Sequence, residues 1–307
     1  MLRFSPLLRR GSLFCSTVCL AEEQRGFEFL QDAKIRDEQF GSWRPWTREW
    51  QADWDGRAPG NSSAPKNNKT TRHVFLVRHG QYNLNSAENE LTALGREQSR
   101  LTGQRLRRMA EAAMEDHYGK VEVKWTTVVH SDVKRAAETA GIIYDQLTGE
   151  PQSSLSSPLI CDPLLAEGWP CVPRPYAKDV RPSQVLADST RIESAFRKYV
   201  RRAVDGKKGE KTNVKSEVQP TGSANASGDS PLETSSQENH EFILLVCHQN
   251  VIRYFLCRAL QLPPEYWLRF RGDNCGLTEI IIYPDGRISL GKFADVGHLD
   301  ITQQTFH

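Results

Sequence analysis

Three short apolar runs, each followed at once by a helical pattern, most constrain what this chain can fold into. They are HVFLV at residues 73–77, WTTVVHS at residues 125–131 and FILLVCH at residues 242–248. Apolar strands that alternate with helices are typical of a parallel sheet that is covered on both faces. The sequence therefore predicts an α/β fold, a three-layer sandwich whose central sheet is mostly parallel, with helices on both faces.

The remaining patterns fit this interpretation. Four segments have helical periodicity: residues 92–109, with Thr92 as N-cap, residues 133–147, residues 191–203 and residues 250–260. The segment TEIIIYPDGRISLGKF at residues 278–293 predicts a closing hairpin that turns at Pro-Asp-Gly.

The first 21 residues have the composition of a targeting segment. They contain three arginines and several serines, and no acidic residue precedes Glu22. This favours a mitochondrial transit or anchor segment, and a secretory signal peptide is the alternative. The apolar run at residues 12–21 is too short for a bilayer, which needs about 20 residues, so membrane association would be peripheral or anchored.

Residues 22–70 form a leader that is rich in tryptophan. Four of the seven tryptophans lie in QFGSWRPWTREWQADWDGRAPG at residues 39–60, and NSSAPKNNKT at residues 61–70 predicts a flexible linker. Such rings anchor a segment onto a partner subunit or onto its own domain, and the residues alone leave both alternatives open. The compact domain is expected at residues 71–307.

Residues 204–240 predict a disordered insertion within that domain. The segment has no aromatic residue and almost no large apolar one, so it cannot bury enough surface to offset the entropy of ordering. A regulatory tether and an inert spacer both fit its composition.

Charge and cysteine content exclude some functions. The 40 Lys and Arg against 38 Asp and Glu leave a net charge of +2, so we expect no nucleic-acid partner. The seven cysteines contain no C-x-x-C pair, which argues against a zinc site and a disulfide framework. Cys247 and Cys257 lie in apolar runs and predict reduced core thiols, as in an intracellular protein.

Basic side chains follow all three predicted core strands. Arg78 and His79 end the first strand, Arg135 comes shortly after the second and His248 ends the third. The carboxyl ends of parallel strands meet at one crevice, where helix amino termini add partial positive charge. Arginine binds phosphate in a bidentate manner. The sequence therefore predicts a phosphate site at this edge of the sheet.

These segments resemble those of a known family. RHG after a strand, LTALGREQS, HSDVKRAAET and a later CH are similar to the motifs of the histidine phosphatase (phosphoglycerate mutase-like) superfamily, over residue 71 to the carboxyl terminus. The resemblance implies the phosphoglycerate mutase-like fold and phosphoryl transfer without a metal or another cofactor.

The resemblance also implies roles for individual residues. His79 corresponds to the nucleophile that becomes phosphorylated, and His248 to the second pocket histidine. Glu167, in LLAEG, corresponds to the acid that protonates the leaving oxygen. The phosphate-binding positions correspond to Arg78, Arg135 and Asn85.

The physical chemistry fits these roles. An imidazole with a pKa near ~6.5 is largely neutral and nucleophilic at pH 7. Its other nitrogen must be held by a hydrogen bond, and the sequence does not identify that partner. We expect neighbouring cations to keep Glu167 ionised until a substrate phosphate raises its pKa.

Within the superfamily, the chain resembles a mitochondrial serine/threonine phosphatase branch, through RIESAFRKY and CHQNVIRYFLCRALQLPPEYWLR. The short, Pro-rich LLAEGWPCVPRP predicts an open site that favours phosphoprotein substrates. WQADWD resembles that branch's assembly motif and implies a homo-oligomer formed through Trp50, Trp54 and Asp55. Two alternatives are a small-molecule phosphatase or mutase, and an adaptor that binds partners through its tryptophans.

Overall fold

The computed structural model describes residues 50–58, 69–112, 114–116, 119–149, 155, 157–174, 182–203 and 239–306. Its strands are β1 (Thr70–Arg78), β2 (Met114–Asp116), β3 (Gly119–Val121), β4 (Trp125–His130), β5 (Leu159–Cys161), β6 (Asn239–Cys247), β7 (Leu277–Ile282) and β8 (Ile288–Asp295). Its α-helices are α1 (Ala93–Ala112), α2 (Lys134–Thr148), α3 (Pro182–Tyr199) and α4 (Gln249–Ala259). Short 3₁₀ turns lie at Pro163–Leu165, Pro264–Arg269 and Ile301–Gln303.

Six of these strands form one mixed sheet in the order β5-β4-β6-β1-β7-β8. The pairs β5-β4, β4-β6 and β6-β1 are parallel, and the closing hairpin adds β7 and β8 antiparallel. The predicted sheet, which is mostly parallel, is confirmed, as is the hairpin. In the parallel register Arg78 lies beside Cys247, so the residues that follow both strands emerge side by side.

The alternation of side chains along β1 and β6 divides the core between the two faces of the sheet. Val74 and Leu76 pack toward α3 and α4 together with Phe196 and Phe255. Their neighbours along β1 and β6 face the opposite cluster, which includes side chains of α1 and α2. All of these side chains are almost fully buried. Because both faces are covered, apolar residues occupy consecutive strand positions, as the sequence predicts.

The helix starts follow local hydrogen bonding. Thr92 caps α1, since its Oγ1 accepts the Gly95 N–H at 3.0 Å. The helix α3 begins well before the segment at residues 191–203 on which it was predicted. No helix in the described part of the chain is long and apolar enough to cross a membrane.

The end predicted for the insertion at residues 204–240 is wrong by two residues. Asn239 and His240 belong to β6, where they pair with Thr70 and Thr71 of β1. Backbone pairing does not depend on side-chain hydrophobicity, so a polar strand start is invisible to a composition argument. The rest of the insertion, residues 204–238, lies outside the described residues, as do the segment 1–21 and most of the leader.

Candidate active site

The nucleophile predicted at residue 79 is buried at the carboxyl end of β1. His79 is 2% exposed, and its backbone N–H donates to the Cys247 carbonyl of β6 at 3.0 Å. Its Nδ1 lies 2.8 Å from the Gly80 carbonyl. Since a carbonyl only accepts, Nδ1 carries the proton and Nε2 keeps its lone pair. The Gly80 carbonyl is therefore the orienting partner that the sequence does not reveal.

A guanidinium group faces the free nitrogen of this ring. Arg135, in the first turn of α2, donates from Nε to Nε2 of His79 at 3.1 Å. The same guanidinium lies over the Tyr82 ring, 4.7 Å from its centroid. A phosphate group that approaches Nε2 therefore finds the positive charge of Arg135 already in position for its oxygens.

The second arginine ends β1 and is almost fully buried. Arg78 donates from Nη1 to the Gly272 carbonyl at 2.8 Å, and its guanidinium lies 5.1 Å from the Phe306 ring centroid. Its Nε has no hydrogen-bond partner among the described residues. Burial lowers the pKa of Arg78 to about 10, against the opposing effect of Glu167. The group remains charged at pH 7 and keeps an unused donor.

The second histidine lies at the start of α4. His248 is fully buried, and its Nε2 lies 2.9 Å from Ser131 Oγ. Its Nδ1 has no partner among the described residues, and its ring centroid is 5.2 Å from that of His79. The structure thus brings together Arg78, His79, Arg135 and His248, which we call the candidate phosphate pocket.

Electrostatics keep the two rings neutral. Burial lowers the pKa of His79 well below its usual value, and the charges of Arg135 and Arg78 lower it further. Burial likewise lowers the pKa of His248, with His79 and Arg135 as further causes. A neutral ring with a fixed lone pair is the nucleophilic form of histidine.

The carboxylic acid follows the 3₁₀ turn Pro163–Leu165. Glu167 is partly buried, its Oε1 accepts the Gly168 N–H at 3.1 Å, and it is close enough to Arg135 and Arg78 for their charges to act on it. Burial nevertheless raises the pKa of Glu167 above its usual value, although this hydrogen bond and both cations lower it. The cations lower this pKa as expected, but desolvation outweighs them. The expectation that Glu167 is ionised before substrate binds stays a prediction.

A family model described as the histidine phosphatase superfamily (branch 1) matches residues 74–167 and 230–295. These two segments make up more than half of the chain and contain all five residues of the pocket and its acid. The chain belongs to the histidine phosphatase superfamily. The predicted family and the α/β fold are therefore confirmed.

Individual relatives agree with this assignment. A Caenorhabditis briggsae protein named mitochondrial serine/threonine-protein phosphatase Pgam5 is 34% identical over 92% of this chain and 89% of its own. The Homo sapiens protein of that name is 32% identical over 87% of this chain and 85% of its own. These two proteins and six further relatives are all named as mitochondrial. This confirms the predicted mitochondrial location, without distinguishing the outer membrane from an imported location.

Among solved structures, a phosphoglycerate mutase from Plasmodium falciparum is 30% identical and covers 76% of this chain and 96% of that one, with a TM-score of 0.43. At this TM-score the likeness adds nothing to the assignment to the histidine phosphatase superfamily.

The loop after β1 in this histidine phosphatase lies directly against the start of α1. A Cβ on Gly80 would lie 2.5 Å from the Gly95 carbonyl oxygen, and a Cβ on Gly95 would lie 1.9 Å from the Gln81 carbonyl oxygen. Two glycines therefore permit a backbone contact that no larger residue would allow.

Further groups hold the loop that contains His79. Asn274 donates from Nδ2 to the His79 carbonyl at 2.9 Å, and Thr139 Oγ1 accepts the Gly80 N–H at 3.0 Å. Sequence reasoning missed both residues, and it also missed Ser131 beside His248. Ser131 lies within the HS motif and could have been found there, whereas no local signal marks Asn274.

A clamp on α3 holds the loop that contains Glu167. Arg191 donates to the carbonyls of Leu164, Ala166 and Glu167 at 3.1, 2.6 and 3.0 Å, and it pairs with Asp188 at 2.9 Å. Three carbonyls bound by one planar guanidinium fix the path of this backbone. Arg191 therefore positions the loop of Glu167 without belonging to the candidate phosphate pocket, and sequence reasoning also missed this role.

Asn85 is not placed with the other predicted phosphate ligands. It is exposed in the loop after β1, where its backbone N–H binds Asn83 Oδ1 at 3.1 Å. No contact joins its side chain to the candidate phosphate pocket among the described residues. The predicted role of Asn85 in phosphate binding stays a prediction.

The described part of the leader packs against its own chain. Trp54 donates from Nε1 to the Gly286 carbonyl at 2.9 Å, and Asp55 pairs with Arg202 at 3.0 Å while both side chains are buried. Trp50 remains 44% exposed. Two of the three residues predicted to form the oligomer, Trp54 and Asp55, thus make contacts within the single chain. The predicted oligomer stays a prediction.

No cluster of three or more His, Cys, Asp or Glu suited to a metal ion occurs within the described ranges. Cys247 and Cys257 are free and buried, as predicted.

Proposed function

We propose that this chain is a protein-serine/threonine phosphatase that acts through a phosphohistidine at His79. The observation that carries the proposal is the fixed tautomer of that ring: Nδ1 is bound to the Gly80 carbonyl, and Nε2 faces Arg135. The relatives' shared name, serine/threonine-protein phosphatase, supports the choice of substrate.

Under this proposal, the substrate phosphate binds between Arg78 and Arg135, with His248 as a further donor. Nε2 of His79 attacks phosphorus while the bond from phosphorus to the seryl or threonyl oxygen breaks. Glu167 gives its proton to that oxygen and becomes a carboxylate. Burial raises its pKa above the usual value, which favours the protonated form that this step needs. The arginines offset charge on the equatorial phosphate oxygens.

In the second step, water attacks the phosphorus of phospho-His79. The Glu167 carboxylate takes a proton from this water, the bond from nitrogen to phosphorus breaks, and inorganic phosphate leaves. His79 returns to its neutral form and Glu167 to its acid form. Both steps rely on positioning and charge compensation, which is what phosphoryl transfer mainly requires.

The test gives the purified full-length chain a panel of phosphoserine and phosphothreonine peptides and, in parallel, 3-phosphoglycerate. We expect peptide dephosphorylation and an acid-labile, base-stable phosphoenzyme that is absent in His79→Ala. Conversion of 3-phosphoglycerate that needs a bisphosphorylated cofactor, without peptide turnover, would instead identify a mutase. Cellular effects that are unchanged in His79→Ala would identify an adaptor.

We also propose that copies of the chain assemble through Trp50, Trp54 and Asp55. The exposure of Trp50 supports this, since an exposed tryptophan can bury much area at little entropic cost. Light scattering on the full-length chain should show a mass above that of a monomer, and Trp50→Ala should lower it. A monomeric mass for the unaltered chain would refute the assembly.

For the location within the mitochondrion, we propose import directed by the arginine-containing segment at residues 1–21, in place of an anchor in the outer membrane. The support is the composition of this segment and its short apolar run. Protease treatment of intact mitochondria should leave an imported chain uncut, whereas a chain anchored on the outer surface would be digested.

A further inference from the structure

Phe306 contacts two guanidinium groups, and only one of them belongs to the candidate phosphate pocket. The ring centroid is 5.1 Å from the guanidinium carbon of Arg78 and 4.5 Å from that of Arg271. The preceding residue is fixed, because Thr305 Oγ1 donates to Asn274 Oδ1 at 3.0 Å and Gln98 Nε2 donates to that hydroxyl at 2.8 Å. The ring is therefore a firm support for both cations.

Arg271 is held in place by the ring, and no carboxylate among the described residues is hydrogen-bonded to it. Its side chain is 73% exposed, and the ion pair that it makes within the described residues is with Asp273, at 3.9 Å. That distance is too long for a hydrogen bond. A guanidinium that is ordered by a ring and faces solvent has its donors available for an incoming anion.

The distance between the two guanidinium groups matches the spacing of side chains a few residues apart in an extended peptide. Since both stack on one ring at 5.1 and 4.5 Å, their guanidinium carbons are at most about 10 Å apart. An extended peptide advances about 3.4 Å per residue. A phosphoserine at Arg78 would therefore bring a side chain two or three residues away within reach of Arg271.

We propose that Arg271 is a subsite for an anionic side chain, two or three residues from the phosphoserine of a substrate protein. The inference rests on the proposed phosphatase function and narrows its substrates to phosphorylated segments with acidic neighbours. An exposed ion pair has a modest effect, so we expect about a threefold preference in kcat/KM for acidic over uncharged flanks at low salt. The preference should shrink as ionic strength rises.

The experiment uses the full-length chain and peptides that share one central phosphoserine. Positions two and three on both sides carry aspartate in one peptide, alanine in the second and lysine in the third. Only ratios of kcat/KM between peptides are compared, so an effect of a substitution on the pocket as a whole cancels. Arg271→Ala should bring the ratio of aspartate to alanine near one, and Arg271→Glu should favour the lysine peptide.

Arg287→Ala is the matched control. Arg287 is also exposed and stacked on an aromatic ring, Tyr283, at 5.2 Å. It lies in the turn after β7, at the end where Ile282 pairs with Arg72 of β1, about 20 Å along the strand from the pocket. Its ratios should match those of the unaltered chain.

Equal rates on all three peptides, or a preference that survives Arg271→Glu, would overturn the subsite and leave the phosphatase function standing. Turnover of 3-phosphoglycerate with no turnover of any peptide would overturn the proposed function, and the subsite with it.

Discussion

Two buried groups of charges in this protein are built in opposite ways. In the candidate phosphate pocket, Arg78 keeps an unpartnered Nε and His248 an unpartnered Nδ1 within the described residues. Between α3 and α4, Glu193 instead accepts hydrogen bonds from Arg258 at 2.7 and 2.9 Å, from Tyr254 at 2.7 Å and from Arg197 at 2.8 Å.

The pKa values follow this difference. Burial lowers the pKa of both Arg78 and Arg258, but Glu193 more than offsets it for Arg258, whose pKa is raised, whereas the pKa of Arg78 falls to about 10. Removing one member of a buried ion pair is strongly destabilising, because the other member is left as an uncompensated buried charge. A buried cation with spare donors is arranged for a ligand. Substitutions in the group around Glu193 should therefore change stability, and substitutions in the candidate phosphate pocket should change activity.

The largest expected effect is on the activity of the pocket. His79→Ala removes the nucleophile, so kcat/KM on a phosphopeptide should fall by about 10⁴-fold or more. The unfolding temperature should stay within a few degrees, because the ring is neutral and balances the charge of neither Arg78 nor Arg135. Thermal unfolding by circular dichroism, measured beside the rates, checks both. Substantial remaining activity would rule out His79 as the nucleophile.

The next largest effect is on the stability of the paired group. Glu193→Ala leaves Arg258 buried without its carboxylate, which should lower the free energy of unfolding by about 3–5 kcal/mol. Thermal unfolding should then shift down by about 10 °C, with the rate per folded molecule unchanged. The control is Glu111→Ala, which breaks an exposed pair with Arg107 and should cost less than about 1 kcal/mol. Similar losses in both variants would contradict the contrast.

A third test distinguishes the role of Glu167 from that of the candidate phosphate pocket. Glu167→Gln cannot protonate the leaving oxygen, so the first turnover of a phosphoserine peptide should slow by about 100-fold. With p-nitrophenyl phosphate, whose leaving group needs no proton, the first turnover should remain fast and phospho-His79 should accumulate. Rapid-quench measurements of one turnover would show this. An equal slowing with both substrates would mean that Glu167 is not the acid.

The smallest expected effect is the loss of folding stability at acidic pH. The pKa values of His79 and His248 lie well below 6.5 in the folded chain, so below pH 6.5 the unfolded state binds more protons. Stability should then fall by up to about 1.4 kcal/mol per pH unit for each ring. His298, with a pKa of about 4, adds to this loss. Thermal unfolding between pH 7.5 and 5.5 should show a smaller drop in His79→Ala, and an identical drop would contradict the assignment.

The sequence predicts the strand ends well and the contacts between distant segments poorly. Arg78, His79 and His248 follow apolar runs whose register is set by the pattern itself, so their convergence is a consequence of fold class. Arg191 and Phe306 reach the site from segments far away in the chain, and no local pattern marks them. The raised pKa of Glu167 depends on how deeply the finished fold buries it, which the sequence does not state.

The contact between Gly80 and Gly95 has a consequence for how tolerance to mutation is interpreted. Neither residue has a side chain that could bind a phosphate, yet any larger side chain there would push the loop of His79 away from the start of α1. In a saturation screen for phosphatase activity, substitutions at both positions should be as damaging as substitutions of His79. A ranking that interprets every position sensitive to mutation as a catalytic residue would therefore wrongly include these two glycines, which matter only for backbone packing.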